Sequence, residues 1–278
     1  MKGLIVTADD FGASRQVNDA VIAAHRDGIL TATSLMVSAP AAVDAVTRAK
    51  QTPSLRVGLH VVLTDGRPTL PAARIPDLVD ADGFFHNDMA LTGARMFFLP
   101  AVRRQLNAEI AAQFAAFHAT GLSCDHVNAH KHFHLHPSIA SAILKQAKKY
   151  CVRGARVPLE PQDILALVEP RKPSGVAMLT APFAKMLRAR FARAGLRSPD
   201  RVFGLAWSGA MTGARIKGLI ENMPDGLTEI YLHPATDGAW PGAAPGYRYA
   251  EELAGLVSSD VVQKARNSGL RLGGFADF

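Results

Sequence analysis

The chain reads as an α/β protein built on a parallel sheet that is closed or nearly closed. Two observations predict this. Short apolar, β-branched runs alternate with longer helical patterns along the 278 residues, the order that yields parallel strands joined by helical crossovers. Side chains suited to chemistry also sit at, or just after, the ends of several of those runs. In barrels of parallel strands that edge carries the active site. With 48% hydrophobic and 20% charged residues, the composition is that of an ordinary globular chain long enough for one large α/β domain.

The first expected strand, Leu4–Thr7, runs straight into Asp9 and Asp10, so it reads as a buried strand and not as a signal peptide. Gly12 permits a tight turn after the acids. Ser14 is placed to cap a helix near 16–27. A helix near 41–50 lies between expected strands Ser34–Val37 and Leu55–His60. The stretch 65–100, rich in Gly, Pro and Asp, breaks the alternation and reads as a lid-like insertion in a single domain spanning 1–278. Its end, Met96 to Pro100, is an apolar cluster that suits core more than a pocket lining. Helices near 101–119 and 137–150 flank strand His126–Ala129. Then come strand Val152–Val157, helices near 161–169 and 183–194, strand Val202–Trp207 and a helix near 213–222. Strand Glu229–Leu232, a helix near 248–268 and strand Leu270–Gly274 complete the series. No internal repeat is present, and no apolar run is long enough to span a bilayer. Cys124 and Cys151 have no metal-type spacing and read as reduced thiols of a cytoplasmic protein.

The balance is basic, 31 Lys and Arg against 24 Asp and Glu, which suits anionic partners. Residues 183–201 alone carry six of the basic side chains. On a helix, Phe183, Leu187, Phe191 and Ala194 share one face, as in a basic surface helix docked on the core. The sharper reading is a lid touching anionic lipid headgroups at a membrane surface. No aromatic-interleaved basic motif of the nucleic-acid-binding kind is present, so no nucleic-acid partner is expected.

His130, His132, His134 and His136 recur at every second position; an extended segment would line them along one face. Four of the chain's ten histidines in seven residues point to metal binding. One strand rarely supplies four ligands to one ion, so one or two are expected, with partners from elsewhere. Asp9 and Asp10 are adjacent and cannot point the same way on an extended chain. One can ligate a metal while the other faces substrate or water. His60 and His233 each follow an apolar run, where a core histidine is the commoner outcome. Two imidazoles plus one carboxylate, however, form a known open ligand set.

Five motifs, in order, resemble the YdjC-type carbohydrate deacetylases: Thr7-Ala8-Asp9-Asp10-Phe11-Gly12, the stretch from Gly58 to Thr64, the run from His130 to Pro137, Arg156-Val157-Pro158-Leu159-Glu160, and Tyr231-Leu232-His233-Pro234. The likeness runs nearly end to end. The form from Val127 to Pro137 looks most like the hopanoid-biosynthesis deacetylases, which act on an N-acetylglucosaminyl group attached to a bacteriohopane polyol. The resemblance implies a distorted (β/α) barrel of mostly parallel strands, similar to polysaccharide deacetylases. It implies one divalent ion, zinc or magnesium, held by Asp10, His60 and His130. It implies Asp9 as catalytic base, His233 as general acid and Arg156 as the group that orients the base. Glu160, His132 and His134 are the expected substrate contacts. One departure stands out: the commoner family run is Asp-Ser-His-Gln-His, and this chain has Asn128 where the Asp would be. The expected reaction is metal-assisted hydrolysis of an acetamide on a glycolipid or, alternatively, on a soluble N-acetylated oligosaccharide. An amidohydrolase is the rival enzyme, opposed by the His run coming on the fourth strand. A lipid-binding or metal-storage protein is the non-catalytic rival.

Overall fold

The computed structural model describes residues 2–170 and 175–278. Its centre is a parallel sheet in the order β5-β4-β3-β2-β1-β7-β6, with β8 pairing beside the start of β1. The strands are β1 Lys2–Phe11, β2 Ala32–Leu35, β3 Arg56–Val61, β4 His126–Ala129, β5 Gly154–Ala155, β6 Arg201–Phe203, β7 Gly226–Leu232 and β8 Arg271–Leu272. Among the described residues, no ladder joins the edges β5 and β6, but bonds to the segments flanking them cross the gap. Gly154 bridges Arg197, and the Val202 amide donates to the Leu159 carbonyl at 2.8 Å. The sheet is therefore curled and nearly closed, as the alternation predicts.

Helices α1 Arg15–Asp27, α2 Ala42–Gln51, α3 Met89–Phe98, α4 Pro100–Ala119, α5 Pro137–Lys149, α6 Gln162–Val168, α7 Gly175–Arg193, α8 Gly213–Glu221, α9 Tyr249–Val257 and α10 Ser259–Asn267 accompany it. The core strands are buried on both faces: Leu4, Ile5, Val6 and Ala8 of β1 have no exposure. That is why they read as continuous apolar runs and not as alternating ones. Ser14 caps α1 as expected, its Oγ accepting from the Val17 amide at 3.2 Å. Cys124 and Cys151 are unpaired.

Five expectations need correction. β5 and β8 are two residues each, far shorter than the runs that predicted them; β5 is an edge strand and pairs only with β4. The helix near 248–268 is two helices, because Ser258 adopts extended backbone and caps α10 through the Val261 amide. The insertion 65–100 is not unpatterned: it closes with α3, an unforeseen helix capped by Asp88. Its earlier part is tied to α4, where Glu109 accepts from the amides of Thr69 and Leu70 at 2.8 and 2.9 Å. Of the apolar cluster at its end only Met96 is core; Phe97, Phe98 and Leu99 are exposed. Finally, among the described side chains of α7, Ala184, Leu187 and Phe191 are buried and Phe183 is exposed. The face is rotated from the one that Phe183 and Ala194 suggested.

Candidate active site

The C-terminal ends of the strands open into a cavity of about 1000 Å³, lined among others by Asp9, Asp10, His60, His130, His132 and His233. Each arrives from its own element. Asp9 and Asp10 close β1, where the pairing with β2 slips between Ala8 and Phe11. Asp10 takes φ +64°, a left-handed backbone uncommon outside glycine and asparagine-like residues. A bulge of this kind re-aims a side chain, and the two carboxylates consequently face different partners. Gly12 continues the turn at φ +97°, where a Cβ would sit 3.2 Å from the Ala42 backbone.

Asp10, His60 and His130 converge. Asp10 Oδ1 lies 3.2 Å from His60 Nε2 and 3.2 Å from His130 Nδ1, and the two ring nitrogens are 3.4 Å apart. Three donors bound tetrahedrally at about 2.0–2.1 Å from one cation are about 3.3–3.4 Å from one another, so the triangle has the size a divalent ion requires. The tautomer agrees. Asn128 donates its amide N–H to Asp9 Oδ1 at 3.0 Å, which turns its carbonyl oxygen to His60 Nδ1 at 2.7 Å. His60 Nδ1 must then carry the proton, leaving Nε2 with a lone pair aimed at a carboxylate oxygen. That contact is repulsive unless a proton or cation lies between them. Burial would lower the His60 pKa, but Asp9 and Asp10 outweigh it and raise it. The same field would hold a metal ion. Orientation of a ligand histidine by a group behind it is the usual arrangement in metal sites, and here Asn128 provides it without a charge.

Asp9 lies behind this triangle, 2% exposed. Arg156 grips it with both terminal nitrogens, at 2.5 and 3.0 Å, and the Ser34 hydroxyl donates to Oδ1 at 2.8 Å. Burial by itself would raise its pKa; Arg156, His60 and His233 overcome that and hold the carboxyl well below its ordinary 3.8. Arg156 is itself wholly buried. Its other flank bonds Glu229 Oε1 at 2.7 and 3.0 Å, and its guanidinium lies 4.3 Å from the centre of the Tyr231 ring. His233 lies at the end of β7 against the rings of Tyr231 and Tyr247. Its backbone amide donates to buried Glu252 at 2.5 Å, which sets the turn after the strand.

The histidine run does not stay extended. β4 ends at Ala129, and Lys131 and His132 take φ +51° and +53°. The four rings therefore do not share a face. Of the four, His130 alone joins the triangle with Asp10 and His60. His132 faces the cavity and meets the Tyr231 hydroxyl at 2.8 Å. His134 is 1% exposed and points beneath the site, its Nε2–H donating to the Arg156 carbonyl at 3.0 Å. It is a support for Arg156 and not a substrate contact. Glu160 is another of the expected substrate contacts. It lines the cavity, but its carboxylate accepts from the amides of Gly204, Leu205 and Ala206 at 2.9–3.0 Å. It shapes the wall by holding that loop. Ser34, Asn128 and Glu229 were not foreseen as site residues. Glu229 had the clearest signal, an acid in the middle of an apolar strand.

Burial, reinforced by Arg156, pushes the His134 pKa down to about 3. It is neutral in the fold, so the effect vanishes above the ordinary value near 6.5 and grows as pH falls below it. Acidification from 6.5 towards 3 should cost about 1.4 kcal/mol of stability per pH unit through this residue. Urea unfolding at pH 6, 5.5 and 5, below the ordinary value, should approach that slope. His134→Gln keeps a donor but cannot titrate, and should flatten the slope by that amount. An unchanged slope would show that His134 is not buried neutral.

Comparisons with known proteins place this geometry. The model of the YdjC-like protein family matches residues 3–267. A carbohydrate deacetylase of Geobacillus stearothermophilus is 31% identical over 278 residues, covering 99% of this chain and 97% of its own. One from Brevibacillus brevis is 40% identical over 149 residues, 54% of this chain and 57% of that one. Among solved structures, an Enterococcus faecalis V583 protein assigned provisionally to cellobiose-phosphate cleavage superposes with a TM-score of 0.77 at 24% identity, over 99% of this chain and 98% of that one. With the family model spanning nearly the whole chain and a relative aligned end to end, this protein belongs to the YdjC-like family.

Proposed function

We propose that the protein is a metal-dependent carbohydrate N-deacetylase, hydrolysing the acetamide of an N-acetylated sugar to acetate and a free amine. The observation that carries this is the pairing of a three-donor cation site with a separate, Arg-clamped carboxylate on one cavity floor. Asp10, His60 and His130 would hold the ion; two imidazoles favour zinc over magnesium on softness. When bound, a divalent ion acidifies water and polarises a carbonyl oxygen. Asp9, kept ionised by Arg156, takes the proton of the attacking water. The carbon–oxygen bond forms, the carbon–nitrogen bond breaks, and His233 delivers a proton to the departing sugar nitrogen. Phe84, Tyr231 and Tyr247 give the cavity apolar walls for the sugar, with His132 among its polar groups.

The carbohydrate deacetylases among the relatives support the reaction class. The finer reading is that the sugar is an N-acetylglucosaminyl group on a bacteriohopane polyol. The form of the Val127–Pro137 run supports it. Incubation of purified protein and a divalent ion with such a glycolipid, and separately with chitooligosaccharides, should show loss of one acetyl mass from the glycolipid. Loss from the soluble sugar alone would replace the lipid-linked substrate; loss from neither would remove the deacetylase reading.

Chelation should abolish acetate release, and added zinc or magnesium should restore it. His60→Ala should weaken cation binding in calorimetric titration by more than about 100-fold, beyond what changes to groups behind the ligands produce. Undiminished affinity would exclude His60 as a ligand.

A further inference from the structure

The positive charge of this protein is concentrated on one wall. Helices α3, α4, α5 and α7 carry ten Lys and Arg side chains and a single acid, Glu109. Glu109 has no exposure and is bonded to the amides of Thr69 and Leu70. The other 21 basic and 23 acidic side chains of the chain nearly cancel. The four helices form one continuous surface: α4 packs on α3 and α5, and α5 packs on both α3 and α7.

The same wall exposes apolar groups. Among the described residues, ten large hydrophobic side chains are exposed, and six of them lie on this wall or at its turn: Leu91, Phe97, Phe98, Leu99, Phe183 and Met186. Phe98 is 73% exposed. The two sets meet at the start of α5. The Phe97 ring is 6.2 Å from the ring of His136, the residue preceding α5, and Arg190 donates to the carbonyl of Pro137, its first residue, at 3.1 Å. Phe183 and Met186 precede Arg190 by seven and four residues, which puts them on its flank of α7. The wall also adjoins the cavity. α3 follows directly on His86 and Asn87, and His132 and His136 belong to one turn.

Exposed Phe, Leu and Met on a Lys/Arg-rich surface form the chemistry of a face that lies in the headgroup region of an anionic bilayer; the acids at its border, Asp77 and Asp200, come from adjoining segments and pair with Arg95 and Arg188. A DNA duplex would require the charge but not the exposed aliphatic groups. We propose that the α3–α4–α5–α7 wall docks on an anionic membrane surface, bringing the cavity mouth beside the headgroups. The proposal draws on the glycolipid reading only for its purpose, and the two can fail separately.

The test is flotation of the full chain with phosphatidylcholine vesicles, with and without about 30 mol% phosphatidylglycerol, at about 0.1 M and about 0.5 M salt. Binding is expected only with the anionic lipid and only at the lower salt. Phe98→Ser with Phe183→Ser should weaken it by about tenfold, and Lys145→Glu with Lys185→Glu should do the same. Both pairs are exposed, and turnover of a soluble acetamido sugar should be unchanged in each. Absence of binding, equal binding to neutral vesicles, or indifference to the Phe98 and Phe183 changes would overturn the proposal. So would tighter retention on a DNA duplex than on vesicles. Vesicle binding without acetate release would leave the surface standing and remove the deacetylase; acetate release without vesicle binding would do the reverse.

Discussion

Replacing Asp9 by Asn is expected to lower acetate release by about 10²–10⁴-fold while leaving cation affinity within about tenfold. Asp9 contributes no atom to the triangle of Asp10, His60 and His130, so the ion should still bind. What disappears is the anion that accepts the proton. An asparagine can still accept from Arg156 Nη2 and Ser34 through its carbonyl oxygen, but its amide nitrogen faces Arg156 Nη1 and loses that bond, so urea unfolding of the variant is measured alongside to show that it remains folded. The comparison variant is Asp10→Asn, which should lose both cation affinity and turnover. Calorimetric titration with zinc and an acetate assay, run on the same preparations, separate the two. Retained turnover in Asp9→Asn would remove Asp9 from the mechanism.

Arg156→Met is expected to destabilise the fold by about 3–5 kcal/mol, because removing one partner of a buried ion pair strands the other charge. Two are stranded here. Asp9 and Glu229 are 2% and 0% exposed, and both lean on the same guanidinium. Without it, burial and mutual repulsion should drive at least one carboxyl to take up a proton at neutral pH. Urea unfolding at pH 7 measures the loss. Adding Glu229→Gln should restore part of the stability, since one buried charge is then gone. It should not restore turnover, because Asp9 would still lack the group that orients it and keeps it ionised. A loss below about 1 kcal/mol would show that the pair is readily neutralised and that Arg156 is not the keystone of the site.

The positions of the reactive groups were legible because each lies at a strand end, and strand ends can be read from where an apolar run stops. Asp10, His60 and His130 meet where that phase puts them. The histidine run was misread in its conformation: its period of two suggested a strand, but β4 stops at Ala129 and the chain turns through two left-handed residues, Lys131 and His132. Nothing local forbids the extended form. The turn is held by contacts made far away in sequence, His132 on Tyr231 and His134 on the Arg156 carbonyl. Asn128 was noticed as a departure, but its purpose depends on Asp9 and His60, which lie 119 and 68 residues away.

By itself the sequence determined the alternating α/β order, the parallel sheet, the cap at Ser14 and the set of groups able to hold a cation, all of which follow from local periodicity and residue chemistry. Only the tertiary structure decided which histidine of the run meets Asp10 and His60, that Glu160 binds a loop, and that four separate helices pool their charge on one wall. Those outcomes depend on which segments become neighbours when the sheet curls, and one-dimensional spacing carries no record of that.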